Sequence, residues 1–247
     1  MPAIIIPGVT TARDLAFTPA VDLLKLYHAR KASPLVVMQA SLARVDTPRT
    51  AIISEWRKEA AMATDTAYTL DQFLADTRVT ITTKGIPSGL AEIRDHLERL
   101  LHNPELLKKH LGDPVPYVER TTIGHDPETD VHVLVHGRPK ANKSSVHDHG
   151  PCWVVYGNYK NPTRMRRWRR LDDGSTPGHA ELTLQREFLN EPGHAAVFAV
   201  GDIHSIEFGD DTFFIRVTGG DVETKETHRF DVEKKTVEIA NRAQGQR

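Results

Sequence analysis

Residues 144–150 read Ser144-Ser145-Val146-His147-Asp148-His149-Gly150, and the fold expected for the chain follows from them. On a β-strand, residues i and i+2 point to the same face, so His147 and His149 are expected to aim together. Two imidazoles converging on one point pack poorly but chelate well. Alone, such a pair is a weak signal, because surface His-x-His pairs are common. A second element strengthens it. Gly201-Asp202-Ile203-His204 follows the apolar run 195–200, and a glycine-led turn there delivers His204 onto the next strand. Three histidines on one face leave coordination positions open for water, dioxygen or substrate.

The sequence around these segments has a period of two. Val131, Val133 and Val135 alternate with His132, Leu134 and His136. Further strand-like runs cover 152–159, 165–171, 181–188, 195–200 and 212–217. Turn signals separate them: Asn161-Pro162, Asp172-Asp173-Gly174, Pro192-Gly193 and Gly209-Asp210-Asp211. Short strands at this even spacing predict a sandwich or barrel of the jelly-roll group. Upstream the apolar spacing is helical, from about Thr18 to Leu111. Helices are expected after Thr18-Pro19, after Pro34 through Arg44, over 53–68 and 90–101, and briefly after Asn103-Pro104. Between them the β-branched run Val79-Thr80-Ile81-Thr82 is expected as a strand. The boundary falls near residue 115, giving a helical N-terminal region over 1–114 and a β-barrel over 115–247.

Composition narrows the class without naming a chemistry. Hydrophobic residues at 39% and charged residues at 26% of 247 fit a soluble globular protein. A net charge of -1 removes any general attraction to nucleic acid or anionic membranes. No apolar run approaches the roughly 20 residues that span a bilayer, and Met-Pro-Ala-Ile-Ile-Ile-Pro at the start lacks the basic region of a signal peptide. Cys152 is the only cysteine, so no intrachain disulfide forms, which fits a reducing, cytoplasmic location. Arg164, Arg166, Arg167, Arg169 and Arg170 are expected to meet Asp172-Asp173, or a subunit interface, rather than nucleic acid.

The two histidine segments resemble the two motifs of the cupin superfamily, the first carrying two histidines and the second one. Cupins usually add a glutamate ligand after the His-x-His. Here that place holds Trp153, and no acidic residue lies between Gly150 and Lys160. The missing glutamate is the pattern of the three-histidine cupins, and residues 144–149 are similar to the iron-binding strand of cysteine dioxygenase. The resemblance covers about 115–235. It implies a mainly β fold, a cupin (RmlC-like jelly-roll) barrel after the helical region. It further implies an Fe(II)-dependent dioxygenase acting with dioxygen on a small organic molecule, thiol or carboxylate-bearing. A set of bacterial cupins reading His-Asp-His-Gly-Pro, then Trp, then Tyr-Gly is more similar still. Arg120, after Tyr117, stands where the thiol dioxygenases place an arginine that clamps the substrate carboxylate, and Asn161 stands at their turn glycine. The family's cysteine–tyrosine pair and Ser-His-Tyr relay are absent. Cys152 lies two positions too early, and the relay strand reads Phe214-Ile215-Arg216-Val217-Thr218. Iron rests on the resemblance, since imidazoles leave zinc, nickel, copper and manganese open.

Arg120, Trp153, Tyr156 and Arg216 are the substrate-binding candidates. Trp153 shares the parity of His147 and His149, so it is expected to narrow the metal pocket. Inward-facing Phe213, Ile215 and Val217 would turn Arg216 to solvent, and that parity is favoured. Tyr156 and Tyr159 are expected chiefly to pack, Cys152 to be an inert buried thiol, and His132 and His136 to face solvent. Residues 15–70 resemble the opening helices of amidase-signature hydrolases, but their catalytic Ser-Ser-Lys segment is nowhere in the chain. A non-catalytic small-ligand-binding or sensory cupin with a bound metal is the alternative to the dioxygenase. A homo-oligomer stays open.

Overall fold

In a computed structural model the chain divides into two compact units, Met1–Thr66 and Ala67–Arg247. Residues 67–241 are the part described here, within the second unit. The helices expected over 18–66, and nearly all of the amidase-like segment, lie outside the described residues.

The described part opens with three helices, α1 (Leu70–Lys84), α2 (Leu90–Leu101) and α3 (Leu106–Leu111). The strand expected at Val79-Thr80-Ile81-Thr82 is instead the last third of α1. Burial of Leu70, Phe73, Thr77 and Thr80 along one helix face overrides β-branched propensity there. Thr69 and Gln72 form a capping box at the N-terminus, and the hydroxyls of Thr80, Thr82 and Thr83 bond back to the carbonyls of Asp76, Arg78 and Val79. α2 has the expected bounds, and its buried Leu90, Ile93, Leu97, Leu100 and Leu101 form one stripe. Among the described residues no helix is long and apolar enough to cross a membrane.

Twelve strands follow. They are β1 (Thr121–Asp126), β2 (Val131–Arg138), β3 (Asn142–Lys143), β4 (Val146–His147), β5 (Val154–Lys160), β6 (Thr163–Arg170), β7 (Leu182–Asn190), β8 (Ala195–Phe198), β9 (Ile203–Phe208), β10 (Thr212–Gly219), β11 (Thr227–Asp231) and β12 (Thr236–Asn241). The runs expected from periodicity reappear with their ends shifted by a residue or two. Strands β1, β11 and β12 were not legible. A bulge at Ile123 interrupts β1, and Phe230 is the single apolar residue of β11.

The strands form two antiparallel sheets, one ordered β1-β2-β10-β5-β8 and the other β12-β11-β4-β9-β6-β7 with β3 beside β9. Val154, Tyr156, Phe198 and Phe214 from the first sheet meet Met165, Ile206 and Phe208 from the second in one core between them. This is a mainly β, jelly-roll-like barrel preceded by helices.

The five-stranded sheet is buried on its other face as well. Val131, Val133, Val135, Val155, Phe213, Ile215 and Val217 pack against Phe73, Ile93, Leu97 and Leu100 of the helices. Gly157 admits this layer, because a Cβ there would stand 2.8 Å from Leu101 and 2.9 Å from Leu97. Arg78 of α1 adds an ion pair, its Nε donating over 3.1 Å to the buried carboxylate of Asp126 on β1. Truncating the fully buried Leu97 to alanine is expected to cost about 3 kcal/mol of unfolding free energy, read by urea denaturation, because the site cannot collapse around the lost volume.

Candidate metal centre

His147 on β4 stands directly opposite His204 on β9 in the antiparallel ladder. Their ring centroids lie 4.5 Å apart. His149 lies beyond the end of β4 and reaches the site through a turn, not through strand alternation. Its ring sits 4.9 Å from that of His147 and 5.0 Å from that of His204. One ligand nitrogen from each ring lies within 4.8 Å of the others.

The turn is held by Asp148. Its carboxylate accepts the backbone N–H of Gly150 at 3.0 Å, the backbone N–H of His228 at 2.9 Å and the Nδ1–H of His228 at 2.9 Å. Asp148 thus ties the turn to β11 and is spent on that task. Gly150 follows at φ 55°, where a Cβ would stand 1.9 Å from the carbonyl oxygen of Glu226. Only glycine fits so close an approach in the left-handed region.

His147 donates Nδ1–H to the Ser145 carbonyl at 2.9 Å, which leaves its Nε2 with a lone pair. His204 is fully buried, and neither of its ring nitrogens has a hydrogen-bond partner. The Phe198 ring stacks on it at 4.1 Å, and the Arg167 guanidinium lies 5.0 Å above Phe198. Burial pushes all three imidazoles below the ordinary histidine range, His149 and His204 well below it. For His149 the neighbouring His147 and Arg216 add to that effect. The cluster is therefore neutral and offers lone pairs, not positive charge.

Of the other candidates, Tyr156 and Arg216 come to the centre. The Tyr156 hydroxyl lies 3.0 Å from Nε2 of His149, and burial pushes its pKa up to about 12. Arg216 is paired with Tyr156 across β10 and β5. The outward orientation favoured for it is corrected. The apolar residues Phe213, Ile215 and Val217 turn toward the helices, which leaves Arg216 on the inner face with its Nε buried and unpartnered. His136 is corrected for the same reason. It is buried on the inner face of β2, stacks on Phe214 at 4.7 Å and donates Nδ1–H to the Glu119 carbonyl at 2.8 Å. Trp153 is corrected in the opposite sense. The turn at Gly150-Pro151 breaks the parity carried from His149, and Trp153 joins the helix-side core against Gly219.

A cavity of about 420 Å³ opens beside His147 and His149. Its walls carry Arg120, Arg138, Arg216 and Arg229 against the carboxylates of Asp148 and Glu223. Arg120 and Arg216 share Glu223, Arg120 in close contact and Arg216 at 3.7 Å. Arg138 and Arg229 were missed in the sequence. Arg229 stands beside His147 on the illegible strand β11, and a second alternating apolar residue there would have been the signal.

Elsewhere on the arginine-rich strand, Arg170 meets Asp172 at 2.8 Å as expected, while Arg167 pairs instead with Asp202 at 3.3 Å. Arg164 and Arg166 meet Glu187 at 2.6 and 2.5 Å. Tyr159 packs toward the helices, donating to the Asn103 and Pro104 carbonyls. Cys152 is buried, and Asn161 takes the left-handed φ of 60° expected at its turn.

Neither a family model nor a curated protein matches the sequence. Among solved structures, KdgF from Halomonas sp. is 14% identical over 41% of this chain and 77% of that one, with a TM-score of 0.32. Hydroquinone 1,2-dioxygenase PnpCD, solved with Cd2+ and 4-hydroxybenzonitrile, is 11% identical over 47% and 71%, with a TM-score of 0.34. A cupin superfamily protein from Desulfitobacterium hafniense is 10% identical over 41% and 76%, at 0.30. At identities this low the likeness concerns the fold alone, and nothing about the site rests on it.

Two outcomes follow from this geometry. Gly150→Ala is expected to lower unfolding free energy by about 2–5 kcal/mol, from a strained φ and a backbone clash, and to lower the melting temperature with it. The second concerns pH. Burial holds His136 at about 3, against about 6.5 for an ordinary histidine. A histidine depressed in the fold binds its proton more readily unfolded. Its contribution is therefore complete above about pH 6.5 and lost as pH falls toward 3. In chelator-treated protein, urea unfolding followed between these values should show a stability slope that His136→Asn reduces by up to about 1.4 kcal/mol per pH unit.

Proposed function

We propose that His147, His149 and His204 hold one divalent metal ion, Fe(II), and that the protein is a non-haem dioxygenase acting on a small anionic organic substrate. The observation that carries this reading is His204. A fully buried imidazole with two unpartnered nitrogens costs about 1–3 kcal/mol for each unsatisfied group. A metal ion shared with two adjacent neutral imidazoles relieves that cost at one of the two nitrogens. Carboxylate ligands are absent from the cluster, and iron is preferred among the imidazole-binding metals on the resemblance of residues 144–149 to the thiol dioxygenases.

Bound iron(II) would supply the redox chemistry with dioxygen. The chain's own residues do the rest. Ser145 fixes the ring orientation of His147, and Phe198 shields His204 from water. Tyr156 keeps its proton through the physiological range and can donate it at the site from Oη. The arginines of the cavity wall outnumber its carboxylates, which favours an anionic substrate. Arg216 is half-buried, and its buried Nε has donor capacity unspent.

The test is metal analysis of the purified protein, then oxygen uptake with ferrous iron across small thiols, β-dicarbonyls and hydroxyaryl ketones. His204→Ala should lose the iron held by the triad together with oxygen uptake, and unchanged iron content in that variant overturns the triad. With the substrate so found, Arg216→Leu should raise KM by about 10- to 100-fold, the worth of a charged hydrogen bond. Tight binding of a panel compound without oxygen uptake would favour the ligand-binding alternative.

A further inference from the structure

The β1–β2 hairpin carries a second constellation that the triad does not use. His125 on β1 and His132 on β2 are direct cross-strand partners, and their rings stack with centroids 4.2 Å apart. Asp130 lies in the turn joining the two strands, at φ 53°. Its Oδ1 faces both rings at once, 2.9 Å from Nε2 of His132 and 3.3 Å from Nε2 of His125. The three ligand atoms lie within 4.8 Å of one another.

We propose that His125, His132 and Asp130 form a second, solvent-accessible metal site for a zinc-class ion. In a tetrahedral zinc centre, nitrogen and oxygen ligands about 2.0–2.2 Å from the metal stand about 3.3–3.5 Å apart. The His125–Asp130 separation already has that value, and His132 needs to open by a few tenths of an ångström. The backbone ladder of the hairpin holds both histidines in place before a metal arrives. Two imidazoles and one carboxylate select zinc, copper or nickel over calcium or magnesium, and they leave a fourth position for water. A cation there replaces the protons that two imidazoles now direct at one carboxylate oxygen. The site lines a depression whose wall also includes Arg216 and Glu223, and these two residues belong to the cavity beside the triad as well. The second ion would therefore sit next to the substrate-binding side of the first site, without sharing a ligand with it.

Zinc uptake by chelator-stripped full-length protein tests this, measured by competition against a chromophoric chelator. The wild type should take up two ions, and His204→Ala should take up one. The double variant His125→Gln/His132→Gln should also take up one, with circular dichroism unchanged because His125 is exposed and glutamine is close in size to the half-buried His132. Combining the three substitutions should abolish uptake. If the triad fails to bind zinc, the wild type takes up one ion that His204→Ala keeps and His125→Gln/His132→Gln loses, so the two sites fail independently. Unchanged stoichiometry in His125→Gln/His132→Gln overturns the proposal.

Discussion

The helices α1 and α2 cover one face of the five-stranded sheet, and the placement of the polar site depends on that cover. A strand presents alternate residues to two sides, and in β2, β5 and β10 both sides are buried. Leu97 and Leu101 close over Gly157, and the valines of β2 with Ile215 and Val217 pack into the same layer. The hydrophobic requirement of these strands is met outside the barrel. Their other face is free to carry His136, Tyr156 and Arg216 inward. Without the helical layer the same alternation would have to turn its valines toward the other sheet.

The second constraint is the turn after β4. Two histidines two residues apart would meet on one strand, yet the strand ends at His147. The carboxylate of Asp148 instead draws Gly150 and His228 together, and the close approach of Glu226 excludes any side chain at position 150. The turn thus aims His149 at the other two rings and severs the parity that would have taken Trp153 with it. One small structure decides the ligand set and also removes a residue from the cavity wall.

Electrostatically the centre is a neutral chelating cluster beside a positively charged wall. Desolvation keeps the imidazoles unprotonated, and nearby Arg216 pushes in the same direction. Burying a guanidinium beside neutral rings is costly unless an anion joins it, and Glu223 at 3.7 Å meets that need only in part.

The histidine triad, most strands of the barrel and helix α2 were legible because each leaves a periodic or paired trace in adjacent residues. Period two survives in Val131, Val133 and Val135 whichever side they face, and glycine before His204 marks its turn. Direction was not legible. Alternation says that Arg216 and Ile215 point oppositely, but which is inside depends on what lies over each face, and here helices supply a second apolar surface. The run at Val79 misled for a related reason, since a capping box and the burial of Leu70, Phe73, Thr77 and Thr80 along one face stabilise a helix that β-branched composition disfavours. Arg229 and the hairpin cluster of His125, Asp130 and His132 required the register between strands. The sequence by itself therefore determined that His147, His149 and His204 could ligate a metal. Only the tertiary structure decided which faced it, because facing is a property of the surfaces packed on both sides of a strand.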